Sequence, residues 1–377
     1  MTDCPLFPTC GGCRYRNLSD EAYQNQKFEH FKQVMSAIHQ SELRFGEPVF
    51  IPAQTRRRAA MAFSYVKKQF VMGFNAAQSA QVVDCCYCDL LTERLNRNLG
   101  NIRAFVQELC AEPFTQKKGK KIIRQGVTGG DILLCDADNG IDITLELPFS
   151  PELAHRMIIS EYAARTPDVL RVSWRQSANA EPETMLEKSR PIIHNSGTDV
   201  YIPAGTFLQA SKQGERALVE LVLKYVGERQ GRVADLFCGV GTFSYPLAQN
   251  KNNQILAVDS SVELLEGFRQ SVNRNQIPNI EIRAANLFKY PLDERELADI
   301  DIVVFDPPRA GAAAQVAKIA TSKHPHTVVA VSCNPNTFVN DANQLIASGY
   351  TLREVTMVDQ FIYSKHTELV ACFEREE

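Results

Sequence analysis

Two short runs in the second half of the chain carry residue types that can do covalent chemistry. Ser332-Cys333-Asn334-Pro335 follows the apolar stretch Val328 to Val331, and Asp306-Pro307-Pro308-Arg309 follows Ile302 to Phe305. A cysteine at the carboxyl end of a strand, with polar neighbours on both sides, suits a nucleophile better than a core thiol. Cys110, Cys135, Cys238 and Cys372 lack that setting and read as buried small hydrophobes. One chemistry that needs such a thiolate is methylation at a pyrimidine carbon. C5 of uracil is too weak a nucleophile to attack a methyl sulfonium, whereas thiolate addition at C6 makes C5 enolate-like. A base must then remove the C5 proton so that the cysteine can leave. Glu368, in Lys365-His366-Thr367-Glu368-Leu369, is the candidate base. In enzymes that methylate amino nitrogens, an Asn/Asp-Pro-Pro turn is followed by an aromatic residue that stacks on the target. Arg309 stands at that place here, which argues against an amine acceptor.

A cofactor site is expected one turn earlier in the sheet. Asp235-Leu236-Phe237-Cys238-Gly239-Val240-Gly241-Thr242 ends a strand and opens a helix, with glycines that let the backbone approach a ligand. Asp259 ends the next strand, where a carboxylate can accept both hydroxyls of a ribose. A dinucleotide fold usually adds a third glycine to seat a pyrophosphate. Its absence fits S-adenosylmethionine, which has no phosphate.

Ligands of open α/β sheets bind outside the carboxyl ends of the strands, so these runs require a doubly wound sheet behind them. The pattern predicts strands at Val233 to Phe237, Ile255 to Asp259, Ile280 to Ala284, Ile302 to Asp306 and Thr327 to Ser332. Helices are predicted at Glu215 to Val226, Thr242 to Gln249, Val262 to Asn275, Ala312 to Ser322 and Thr337 to Ala347, with Leu369 to Phe373 as a closing antiparallel strand. Before residue 200 the runs are short and strand-like, as at Ala60 to Val66 and Ile141 to Leu147, which predicts an irregular α+β region.

The 377 residues suit two or three domains, and 44% hydrophobic with 23% charged residues is an ordinary globular balance. No apolar run approaches the roughly 18 residues of a membrane span, so a cytoplasmic protein with no membrane partner is expected. A net charge of −3 gives no global pull on nucleic acid. Any RNA grip must be local, at Arg56-Arg57-Arg58 or the basic run at 117–121, with a solvated charge run as the plain alternative for the arginines. Cys4, Cys10 and Cys13 form C-x5-C-x2-C, and Cys85, Cys86 and Cys88 offer a fourth ligand. Such a set suits zinc or an iron–sulfur cluster, and one distant ligand leans toward iron–sulfur.

Taken together, the chain resembles the RNA uracil-C5 methyltransferase family, through Phe207-Leu208-Gln209, the Asp-Leu-Phe-Cys-Gly-x-Gly turn, Asp-Pro-Pro-Arg, Ser-Cys-Asn and the late His-Thr-Glu-Leu. The resemblance implies a Rossmann-like class I methyltransferase sheet at 206–377, an iron–sulfur-bearing region at 1–92 and an RNA-binding α+β region at 93–205 packed with it. It implies that Gln209, Phe237, Thr242, Asp259, Asn286 and Asp306 contact S-adenosylmethionine, with Cys333 as nucleophile and Glu368 as base. It further implies a [4Fe-4S] cluster on Cys4, Cys10, Cys13 and Cys88, with Cys85 or Cys86 as the alternative fourth ligand. The cluster tilts the expected partner toward 23S ribosomal RNA over transfer RNA, with no obligate protein partner. Because the chain begins at the cysteines, a member without the small N-terminal β-barrel of some relatives is expected. Two departures stand out: Asp259 replaces a frequent Glu, and where the family commonly has a Phe-Pro-His-Thr run ahead of its glutamate this chain has Phe361-Ile362-Tyr363-Ser364-Lys365-His366-Thr367-Glu368. Rival readings are methylation of a protein or small molecule, and an iron–sulfur RNA-binding protein without catalysis.

Overall fold

A computed structural model of the chain describes residues 4–118 and 121–375. Residues 119 and 120 of the basic run at 117–121 lie outside them. Compactness divides the chain into two discontinuous units, where regions at 1–92 and 93–205 packed together and a third at 206–377 are expected from the sequence. Residues 1–17, 52–193 and 202–211 make one unit, and residues 18–51, 194–201 and 212–377 the other.

The second unit holds an eight-stranded sheet. Its strands are β1 (Val49–Phe50), β2 (Arg232–Leu236), β3 (Gln254–Asp259), β4 (Ile280–Ala284), β5 (Ile302–Phe305), β6 (Thr327–Ser332), β7 (Thr351–Asp359) and β8 (Glu368–Glu374). Their order across the sheet is β1-β7-β8-β6-β5-β2-β3-β4. Strands β6, β5, β2, β3 and β4 run parallel, and β8 enters antiparallel between β6 and β7. Helices α1 (Asp20–Met35), α2 (Lys212–Val226), α3 (Ser244–Leu247), α4 (Val262–Arg274), α5 (Ala313–Thr321) and α6 (Pro335–Ala347) belong to the same unit. Every residue of β5 and β6 is buried, as unbroken Ile-Val-Val-Phe and Thr-Val-Val-Ala-Val-Ser runs require when both faces of a parallel sheet are covered. One face packs on Phe31, Met35, Phe338 and Ala342, the other on Leu218, Val222 and Phe243.

The predicted elements recur within two residues of their expected ends except at α2, which begins three residues earlier at Lys212, and α3 is cut to Ser244–Leu247. Pro246 lies within that helix. The strand β7 and the helix α1 were not anticipated.

The first unit is a seven-stranded mixed sheet that includes Arg58–Val66 and Gly140–Glu146. Helix Glu93–Ala111 lays Leu95, Leu99, Ile102 and Val106 into its core with Ile132, Ile143 and Trp174. Phe105 stacks on Tyr162 with ring centroids 4.0 Å apart.

Candidate active site

The local chemistry of Ser332-Cys333-Asn334-Pro335 sets Cys333 at a strand-to-helix junction. Asn334 caps α6, its side chain accepting from Asn336 N at 3.2 Å, and Pro335 begins the helix where a missing N–H costs nothing. The thiol therefore stands half-buried beside the positive end of a helix. The Asn334 amide also donates to Arg309 O at 3.0 Å, tying this turn to Asp306-Pro307-Pro308-Arg309.

Glu368 comes to the same place from β8. Ser332 pairs with Leu369 and Val358 with Glu368, so the carboxyl leaves the sheet next to the Cys333 turn. Glu368 is only 3% exposed. Burial, then the charge of Asp306, pushes its carboxyl up to about 8, against a Gln360 hydrogen bond that lowers it. Burial, reinforced by the charges of Glu368 and Asp306, pushes the Cys333 thiol up to about 11, and Arg309 opposes them. Arg309 in turn reaches His366 Nδ1 at 3.2 Å. Sequence reasoning missed His366, Gln360 and Asp359 as part of this end of the sheet, and the only signal was their closeness to Glu368 in the chain.

The glycine turn after β2 lies two strands away. Phe237 has φ +62 and Gly239 φ +55, a left-handed pair that bends the backbone sharply. A Cβ on Gly239 would meet nothing within 4 Å, which leaves the backbone open to a ligand, whereas one on Gly241 would strike the Phe268 ring at 2.6 Å. The first glycine keeps space and the second permits packing. Asp259 accepts from Gly239 N and Ser261 N, each at 3.0 Å, so its carboxylate is fixed at the end of β3. Asn286 accepts from Phe288 N at 3.1 Å, and the Phe288 ring lies 5.5 Å from Phe237. Thr242 O accepts from Asn195 at 2.9 Å. Asp235, fully buried and bonded by Ser244 at 2.5 Å, is pushed up to about 7 by burial. The turn, the fixed carboxylate and the aromatic pair fit an adenosine-type cofactor. Gln209 belongs to the other unit, where it is buried and its carbonyl accepts from Arg57 at 3.1 Å.

Within the arginine triplet the guanidiniums are held by the protein itself, Arg56 and Arg58 being half-buried. Arg57 is buried, Arg58 donates to Leu208 O at 2.6 Å beneath the Phe207 ring, and Arg56 donates to Arg58 O at 3.0 Å. These guanidiniums satisfy backbone carbonyls, which a solvated charge run would not do.

Cys4, Cys10, Cys13, Cys85 and Cys88 line one cavity of about 120 Å³ with Arg16 and Arg56, whereas Cys86 is exposed and does not. Among the described residues no three His, Cys, Asp or Glu side chains stand in metal-ligating geometry. The donor set nonetheless fits a thiolate-bound group, because the two guanidiniums would offset its negative charge. Cys110, Cys238 and Cys372 are buried as expected, and Cys135 is half-buried.

Comparison with known proteins adds kinship. Residues 198–376 match the sequence model of the family described as tRNA (Uracil-5-)-methyltransferase. An uncharacterized RNA methyltransferase of Agrobacterium fabrum is 34% identical over 372 residues, covering 97% of this chain and 82% of that protein. The 23S rRNA (uracil(1939)-C(5))-methyltransferase RlmD of Shewanella denitrificans is 28% identical, covering 98% and 82%. The fold is similar to that of Pyrococcus abyssi tRNA (uracil-54, C5)-methyltransferase, solved with S-adenosyl-L-homocysteine. That match has a TM-score of 0.72 and 22% identity, and it covers 97% of this chain and 86% of the other.

Proposed function

Because the chain belongs to the RNA uracil-C5 methyltransferase family, we propose that it methylates C5 of a specific uridine in 23S ribosomal RNA through a covalent adduct on Cys333. The observation that carries this reading is the convergence of Cys333, Glu368, Asp306 and Arg309 at one end of the sheet. Cys333 adds its sulfur to C6, and the ring electrons shift to make C5 a nucleophile. Asp259, Thr242, Phe237, Asn286 and Asp306 would hold S-adenosylmethionine, which supplies the electrophilic methyl group. Gln209 joins them on the resemblance alone. Glu368 takes the C5 proton, the C5–H electrons restore the C5=C6 bond, and the C6–S bond breaks to return the thiolate. Arg309 favours the thiolate that starts the cycle and the carboxylate that ends it.

The target base must leave its stack or be presented in a loop to reach a half-buried thiol. We also propose that Cys4, Cys10, Cys13 and Cys88 hold a [4Fe-4S] cluster, a reading supported by their shared cavity. Transfer RNA is the second reading for the substrate, favoured by the description of the matching family. Quantifying 5-methyluridine in ribosomal and transfer RNA from cells with and without the gene separates the two. Loss from 23S ribosomal RNA alone supports the first reading, and loss from transfer RNA alone replaces it.

A further inference from the structure

The connection between β7 and β8 spans residues 360–367, and Glu368 follows it directly. It contains no proline, so its shape must come from what it is bonded to. Helix α1 supplies those bonds. The Lys27 ammonium, 4% exposed, pairs with Asp359, itself 1% exposed, at the last position of β7. Lys27 also donates to Phe361 O at 3.3 Å. The Tyr23 hydroxyl donates to Asp359 and accepts from Tyr363 N at 2.8 Å. The Tyr363 ring lies 5.0 Å from Tyr23, and its hydroxyl donates to Asp20 at 3.1 Å. Asp20, Tyr23 and Lys27 are spaced i, i+3 and i+7, so one helix face grips the end of β7 and the first half of the connection.

The grip leads to the base in one step. Gln360, next to Asp359, is 4% exposed and hydrogen-bonds Glu368. A charged pair this deeply buried is costly to maintain and weak as a stability device, since apolar residues of similar size often serve as well. Its directionality is what apolar packing would lack: it fixes Asp359 along two bonds, and Asp359 sets the backbone from which Gln360 reaches Glu368. We propose that Tyr23 and Lys27 are positioning residues for Glu368, holding the 360–367 connection so that the carboxyl meets the C5 proton after methyl transfer.

The inference rests on the covalent cycle proposed above, and it predicts a split within that cycle. Addition of Cys333 to C6 and methylation of C5 do not need Glu368; proton removal and release of the cysteine do. Tyr23→Phe keeps the ring and the Lys27–Asp359 pair while losing the hydroxyl's bonds to Asp359 at the end of β7, to Tyr363 N in the connection and to Lys27. Lys27→Met removes the charge.

The test uses the full-length protein, S-adenosylmethionine, and whichever ribosomal or transfer RNA transcript the wild type methylates. Three readouts are taken on each variant: S-adenosylhomocysteine binding, trapping on the 5-fluorouracil form of the transcript, and turnover on the ordinary form. Both variants should bind S-adenosylhomocysteine and trap as the wild type does. Release of methylated RNA should slow by about 10- to 100-fold, the usual cost of misplacing a catalytic group by an ångström or so. A methylated covalent complex on ordinary uridine should then accumulate on a denaturing gel.

If Tyr23→Phe turns over like the wild type, or loses trapping in proportion to turnover, the positioning role is overturned. Lys27→Met tests the same split independently where it still binds S-adenosylhomocysteine. A wild type that methylates RNA but does not trap on the fluorinated transcript instead sinks the covalent reading on which the inference stands.

Discussion

Cys333 and Glu368 each adjoin Ser332–Leu369, the last pair of one antiparallel ladder, so a thiol and a carboxyl emerge from neighbouring strands at the same end of the sheet. Burial first and then the Glu368 charge push the Cys333 thiol up, while burial and the charge of Asp306 push up the Glu368 carboxyl. The resting site therefore holds its thiol protonated and its carboxyl close to neutral titration.

The first prediction concerns thiol reactivity. Because Glu368 and Asp306 raise the Cys333 thiol while Arg309 lowers it, iodoacetamide should alkylate Cys333 slowly at neutral pH in the free protein. Above about pH 8, where Glu368 is charged, Glu368→Gln should speed alkylation and Arg309→Ala should slow it, each by several-fold. Peptide mass spectrometry after timed labelling reads the rates. Equal rates in all three proteins would remove the electrostatic account.

The second concerns stability against pH. The folded Glu368 carboxyl is raised from 4.5 to about 8, so between those values the folded chain keeps a proton that the unfolded chain has released. This contribution is fully present below 4.5 and is lost as pH rises through about 8. Thermal unfolding followed across that window should show the wild type losing stability with rising pH more steeply than Glu368→Gln. Parallel curves would contradict it.

A third prediction addresses the buried pair beneath the β7–β8 connection. Lys27→Met strands the Asp359 carboxylate in a site 1% exposed, which costs about 3–5 kcal/mol for a broken buried pair. Adding Asp359→Asn to Lys27→Met removes the stranded charge and should restore much of the loss. Urea midpoints of the single and double variants decide this, and a double variant less stable than the single one would refute it.

The fourth concerns the cysteines. Anaerobically purified protein should carry iron, sulfide and a broad visible absorption, which Cys4→Ser, Cys10→Ser, Cys13→Ser and Cys88→Ser each diminish. Cys86→Ser should change none of them, since Cys86 is exposed and outside the cavity. Cys85 lines the same cavity, so loss of iron in Cys85→Ser with retention in Cys88→Ser would exchange the fourth ligand. Iron-free protein from anaerobic preparation would discard the cluster.

The parallel strands were legible because each is an unbroken apolar run ended by a polar turn, and the helices because their apolar residues recur at helical spacing. The carboxyl-end clusters followed from that order, which is why Cys333 and Asp306 could be named from sequence and lie at strand ends in the fold. Long-range polar partners were not legible. Lys27 and Asp359 lie 332 positions apart, and nothing in a surface-like Tyr-Gln-Asn-Gln-Lys stretch signals a buried ammonium. The arginine triplet shows the same limit: charge in a sequence does not say whether solvent or backbone carbonyls will satisfy it. The interleaving of residues 18–51 with the methyltransferase sheet was hidden because β1 is only two residues long.

The central claim is the covalent bond between Cys333 and the base, and a fluorinated substrate tests it most directly. With S-adenosylmethionine and a transcript containing 5-fluorouracil, C5 is methylated but carries fluorine, which cannot leave as a proton, so Glu368 cannot complete elimination. The account predicts a complex that survives denaturation, maps by mass spectrometry to Cys333 and C6, and is absent in Cys333→Ala. Full turnover by Cys333→Ala, or an adduct on any other residue, would contradict it.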